Sequence, residues 1–224
     1  MARSTEPMSH ARVLAYAYGS AIPAGVLLAD DAALRDIEEA LETAERSGED
    51  ISLCFARMTL GLALVHRESP AERDRGLAVL GQVRDMCLEG RLFLADLPMV
   101  EVCLARETAQ CGDRDEAIPL MRAAVEHLFC EGQLLGSAAV LVETLLDRGT
   151  DDDVAEAEAV IERLAAAPAD EGLVICDIWV RRLRALLARA REDEAAYRDY
   201  RDHYRAMATS LGFEGHMEWA EAMP

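Results

Sequence analysis

The chain has 224 residues, and its 42 acidic residues against 23 basic ones give a formal net charge of −19. With 51% apolar and 29% charged residues it has the composition of a folded protein with a sizeable core, not of a disordered one. So negative a surface repels phosphate backbones and anionic lipid, which excludes nucleic acid and acidic membranes as expected partners. All 23 basic residues are arginine, and lysine and asparagine are both absent. Those absences remove a phosphate-loop lysine, a Schiff base, a transition-state amide and an N-glycosylation acceptor.

The first stretch, Val13 to Ala29, is uncharged and follows Arg3 and Arg12. Its length could suit an export signal or a short span, but Pro23 would break a spanning helix. Residues 1–30 are therefore expected to form an N-terminal helix or capping segment.

From Asp30 onward the pattern is helical. Leu34, Ile37, Leu41 and Ala44 form one stripe, with Asp30 or Asp31 as cap and Gly48 at the end. A second helix is predicted from about Asp50 to His66. The third opens on Ser69-Pro70-Ala71-Glu72, a capping box with proline in the first turn, and carries Leu77, Leu80, Val83 and Cys87 up to Gly90. A helix from about Asp96 then bears Val100, Cys103 and Leu104 and stops at Gly112. The next starts at Asp113 with a stripe of Ala117, Met121, Ala124 and Leu128, and Pro119 in its second turn should remove a hydrogen bond or bend it. Further helices are predicted at about 134–147, 151–166, 171–190 and 192–210, with a short amphipathic piece near Gly215 to Met223. No run shows the period-two alternation of a strand.

A repeat emerges when alternate helices are aligned on a small residue followed by apolar residues at plus four and plus seven. Gly76, Leu80, Val83 correspond to Ala117, Met121, Ala124 and to Ala157, Ile161, Leu164, at separations of 41 and 40 residues. Steps of 39 in either direction reach Ala196, Tyr200, His203 and Ile37, Leu41, Ala44, which match less well. Small residues at such points let two helices approach closely. The fold class expected is all-α, a solenoid of about five helical hairpins similar to tetratricopeptide (TPR) repeats, over residues 31–211, with a short C-terminal tail at 212–224. The units are longer than the 34 residues of a strict TPR.

Candidate chemistry is sparse. His127 and Cys130 stand three apart on one helix but no second pair has metal-ligand spacing. His203 lies among Tyr197, Tyr200 and Tyr204 and reads as packing between the last hairpins. His216 sits beside Glu214 and Glu218, and His10 and His66 belong to no pattern. Asp151-Asp152-Asp153 suits a helix N-terminus better than a calcium loop, which also needs a glycine turn and a closing glutamate. The arginines at 181, 182, 184, 189 and 191 are expected to pair with Glu192, Asp193, Glu194 and neighbouring acidic helices. The six cysteines, Cys54, Cys87, Cys103, Cys111, Cys130 and Cys176, are scattered, as reduced cytoplasmic thiols are.

Several stretches carry a family resemblance: Ala32 to Leu41, Val79 to Leu88, Leu141 to Gly149 and, above all, Tyr204 to Met223. They resemble the C-terminal TPR-like helical region of mycobacterial-type multidomain class III adenylate/guanylate cyclases that also carry an AAA-type ATPase domain. The resemblance covers about Asp31 to Pro224. It implies a tail without the family's catalytic parts, because those need Lys and Asn. Neither a catalytic residue nor a cofactor or metal ligand is transferred.

The expected function is a non-catalytic interaction and regulatory module, with a protein or peptide partner that includes a cyclase or ATPase domain in cis or trans. In a TPR-like reading of the unit around Leu104 and Ala117, the groove-facing positions are Met99, Val102 and Arg106. Two alternatives stand beside it. One is a small helical hydrolase or metal enzyme using His and carboxylates; the other is a purely structural dimerisation piece with Phe213 and Trp219 as its apolar patch.

Overall fold

The structure is a computed structural model that describes residues 6–90, 94, 96–131, 135–166 and 174–224, by backbone alone at 6–9, 128–131 and 135. Among the described residues every regular element is an α-helix. The chain divides into two compact units, 1–104 and 105–224, and the division falls within one helix.

The first unit holds α1 (Glu6–Ala21), α2 (Asp31–Ser47), α3 (Asp50–Val65), α4 (Pro70–Gly90) and the first half of α5 (Leu97–Gln110). Helix α1 packs on both α2 and α3, α2 on α3, and α3 on α4. Helix α2 begins where the Asp30 carboxylate accepts the amides of Ala32 and Ala33 at 2.9 and 2.7 Å. It ends at Gly48, whose φ of +67° favours glycine. Its buried face is Ala33, Ile37, Ala40 and Ala44, while Leu34 and Leu41 of the expected stripe pack half-buried at its border. Tyr18 ties α1 to α2 by donating to Asp36 at 2.7 Å, and that bond, helped by burial, pushes the phenol up to about 12.

Helix α3 is buried almost all round, from Ser52 to Leu64, because it lies between α1, α2 and α4. In α4 the buried line is Gly76, Leu80, Val83 and Cys87, so Gly76 takes the place expected of Leu77, which is half-exposed. The reason is a close crossing. A Cβ at Gly76 would lie 2.8 Å from Leu64 Cβ, and one at Gly61 would lie 2.7 Å from Leu80 Cδ2.

The second unit continues through α6 (Arg114–Glu131), α7 (Leu135–Arg148), α8 (Asp151–Ala165), α9 (Val174–Ala190), α10 (Glu194–Leu211) and α11 (Glu214–Glu221). Each helix packs on the next from α6 to α11, and α7 also packs on α9. Pro119 sits inside α6 without ending it. The expected stripe of α6 is buried at Ala117, Met121 and Ala124, and that of α8 at Ala157, Ile161 and Leu164. The side chain of Leu128 lies outside the described residues, as does that of Cys130. In α10 the alignment shifts: Tyr197, Tyr204 and Ala208 are buried, whereas His203 is exposed and leans on Asp199 one turn back. The start of α8 holds Asp151, Asp152 and Asp153 in its first turn, as expected of a helix N-terminus. Thr150 is the cap, and Asp153 closes a capping box with it and is almost wholly buried.

Ion pairs repeat at the length of one hairpin in both units. Arg67 reaches Asp31 across 36 residues and Arg75 reaches Glu38 across 37. In the second unit Arg122 pairs with Glu156 across 34, Arg163 with Glu126 across 37, and Arg148 with Asp115 across 33. Among the described residues no helix is long and apolar enough to cross a membrane.

Candidate functional site

The densest polar and aromatic cluster of the second unit forms where α7, α9, α10 and α11 meet. Arg182 of α9 donates through Nη1 to Glu143 of α7. Its guanidinium carbon stands 5.5 Å from the Trp179 ring centroid and 5.2 Å from that of Trp219, a cation set against both indoles at one side of the pair. The two indoles are 5.3 Å apart. His216 fills the space beneath them, edge-on to Trp179 at 4.9 Å and to Trp219 at 5.0 Å. Tyr204 of α10 donates to the His216 carbonyl at 3.1 Å and lies 2.9 Å from its Nδ1. The spacing that puts these groups together is helical: Trp179 and Arg182 are one turn apart on α9, and His216 and Trp219 one turn apart on α11.

Electrostatics fixes the protonation states. Burial penalises both charges of the Arg182–Glu143 pair, yet mutual attraction and the hydrogen bond outweigh it. Glu143 stays below the usual carboxylate range and Arg182 above its usual value. Burial lifts the Tyr204 phenol well above its ordinary value, with Glu143 adding to the rise and Arg182 opposing it. Glu143, Arg182 and Tyr204 therefore keep their usual protonation states near neutral pH and act here by binding the helices together. Trp179 Nε1 and Arg182 Nε are buried without a hydrogen-bond acceptor among the described residues.

The expected arginine pairing is met by neighbouring helices, not by the local acidic run: Arg182 takes Glu143, Arg184 takes Glu162 and Arg191 takes Glu158. Phe213 and Trp219, the apolar patch expected of a dimerisation piece, pack inward onto the second unit's own core. His216 turns out fully buried between exposed Glu214 and Glu218, and nothing in its sequence neighbourhood signals that. Only the aromatic residues at 179, 204, 213 and 219 could have hinted at it.

In the first unit α1 and α3 carry three exposed large apolar side chains, while Leu88 of α4 and Leu94 are exposed elsewhere. Val13 and Tyr16 are 65% and 67% exposed, Ile51 is 50% exposed, and Tyr16 stacks on Phe55 at 6.2 Å with the rings 19° from parallel. Arg12 locks the two helices beside this strip, bonding Ser52 at 2.8 Å and pairing with Glu49. The groove positions expected on α5 lie elsewhere. Val102 is 1% exposed, and Met99 is half-buried against the core of the first unit, so both look inward; Arg106, in the second unit, is half-buried and its charge reaches Glu143.

The remaining reactive groups are thiols. Cys54 and Cys87 touch inside the α3–α4 core, with sulfurs 3.8 Å apart, and burial pushes the Cys54 thiol up to about 12. His127 is exposed, and among the described residues no group of three or more His, Cys, Asp and Glu is placed to hold a metal ion. No family model, curated protein or solved structure matches the chain.

Proposed function

We propose that this chain is a helical-repeat interaction module whose docking surface is the apolar strip of α1 and α3. The observation that carries the reading is the exposure of Val13, Tyr16 and Ile51 on two helices that pack on each other, joined by the Tyr16–Phe55 stack and by Arg12. Large side chains left in water on one face are a common mark of a partner site. In a stack of TPR-like hairpins the first helix of each pair lines the binding face, and α1 and α3 are the first helices of the first two pairs. The packing of α1 on α3 and of α7 on α9, together with ion pairs at one-hairpin spacing, supports that arrangement.

In keeping with the resemblance of its sequence to the cyclase–ATPase tail, the partner in this reading is a catalytic domain of such a signalling protein, in cis or in trans. A partner helix with an apolar stripe and basic flanks would complement a chain of net charge −19. The test is calorimetric titration of a class III cyclase or AAA-type ATPase domain into the purified chain and into a Tyr16→Glu, Ile51→Glu double variant. Binding by the native chain and its loss in the variant are expected. Equal binding by the two, or none by either, sinks the reading.

A further inference from the structure

The core between α3, α4 and the start of α5 is unusually rich in sulfur. Cys54, Cys87 and Met58 are buried in it, and Cys103, Met86 and Met99 pack against it. Half of the chain's six cysteines and a third of its nine methionines thus fall in one small cluster. Aliphatic residues would fill that space as well, so hydrophobic packing alone does not call for thiols there.

We propose that Cys54 and Cys87 form a binding site for one soft monovalent cation, Cu(I), with a thioether of the same cluster as a further donor. Thiolate and thioether are the donors that select Cu(I) over harder ions. The geometry fits a shared ion. With metal–sulfur bonds of about 2.3 Å, two sulfurs on one metal stand about 3.8 Å apart at a tetrahedral angle and about 4.6 Å when opposed. The observed 3.8 Å matches the tetrahedral end of that range. Two thiols supply the ligands, since each sulfur gives up its proton as it takes the metal. The cation and two thiolates leave one net negative charge. Arg57 offers charge against it, since its guanidinium donates to Met86 Sδ at 3.6 Å and its charge acts on Cys54, while it also pairs with Glu45 and the Asp96 carboxylate acts on both sulfurs in the opposite sense. Burial keeps both sulfurs protonated in the apo chain, so they are poor nucleophiles, yet a soft cation can still displace those protons.

The experiment is an anaerobic titration of the reduced full-length chain with Cu(I) held by a chromophoric chelator. One copper per chain should be withdrawn from the chelator. Cys54→Ala and Cys87→Ala should each weaken binding by more than the roughly 10–100-fold that loss of an outer-shell partner produces. Cys111→Ala, at an exposed thiol, should leave it unchanged. Because an alanine in the core can disturb folding, X-ray absorption at the copper edge of the native chain supplies a second readout, with a first shell of sulfur alone expected. Failure to draw copper from the chelator, a first shell of nitrogen or oxygen, or affinity unmoved by both replacements overturns the proposal.

Discussion

The two units join their helices in the same sequence of neighbours but hold the joints differently. At the α3–α4 joint of the first unit the backbones come so close that glycine is required, and the gap is sealed by aliphatic and sulfur side chains. Around α9 in the second unit the helices meet through an arginine, a glutamate and two indoles. The contrast shows that hairpin order does not dictate joint chemistry. The α3–α4 joint is specified by volume, the joint around α9 by paired charge and aromatic planes.

The largest effect is expected where volume decides. Gly76→Ala should remove about 2–3 kcal/mol, since overpacking a tight core costs on that scale and the new methyl meets the Val65 backbone nitrogen at 2.9 Å. Gly61→Ala should cost less, because its nearest obstacle is the far end of the Leu80 side chain, and Leu80→Val should recover part of the loss. Urea melts followed by far-ultraviolet circular dichroism measure both. If Leu80→Val rescued Gly76→Ala as fully as Gly61→Ala, the backbone clash would not be the cause.

The joint around α9 should respond to chemistry instead. Arg182→Ala leaves Glu143 without its partner and the indoles without their filler. A fully buried broken pair costs about 3–5 kcal/mol, and with Glu143 28% exposed about 2 kcal/mol is the expected loss. Arg182→Lys keeps the charge but not the plane, and should fall between. Both tryptophans of the chain, Trp179 and Trp219, belong to this cluster, so their fluorescence reports the second unit alone. Emission unchanged by Arg182→Ala would contradict the packing of the guanidinium against both indoles.

Acid should open the second unit at Asp153. The hydrogen bond from Arg148, aided by Thr150 and opposed by burial, holds this carboxyl far below the usual range. A depressed folded value means stabilisation that is full above the unfolded value of about 4 and is lost as pH falls towards the folded one. Asp153→Asn should therefore destabilise the chain at pH 7 and flatten its loss of stability below pH 4. Denaturant midpoints for both chains across that range check the sign. Thr150→Ala removes the cap and one of the interactions that depress the Asp153 carboxyl, so it should cost about 1 kcal/mol at pH 7 and less in acid.

Much of this architecture could be read in advance, for identifiable reasons. Helix limits followed from Asp30, Gly48, Pro70 and Gly212, which act locally. The small-residue alignment at Gly76, Ala117 and Ala157 found three buried positions, one of them, Gly76, at a close helix crossing that leaves a size signature. The joint around α9 left none. Arg182 looked like one of a surface run of arginines and His216 like a polar residue between two glutamates, since their partners at Glu143, Trp179 and Tyr204 are remote in sequence. Val102 was misplaced for a related reason: a helical period locates a face but does not say which neighbour covers it.

The smallest effect concerns the surface pairs at one-hairpin spacing. Arg122 with Glu156 and Arg163 with Glu126 join α6 and α8 twice, at half-exposed positions. Such pairs contribute about 0.2–1 kcal/mol each and weaken with salt. A register role predicts more than that sum. Reversing one pair's charges while keeping both residue types, as in Arg122→Glu with Glu156→Arg, should leave stability within about 0.5 kcal/mol, because the mate is restored. Reversing Arg122 alone sets it against Glu156 and close to Glu126, one turn away on the same helix, and should cost about 1 kcal/mol or more at low ionic strength. A salt series separates the two outcomes. If the single reversal were as silent as the double one at every ionic strength, the pairs would be incidental to how α6 and α8 align, and the hairpin register would rest on Ala117 and Ala157 alone.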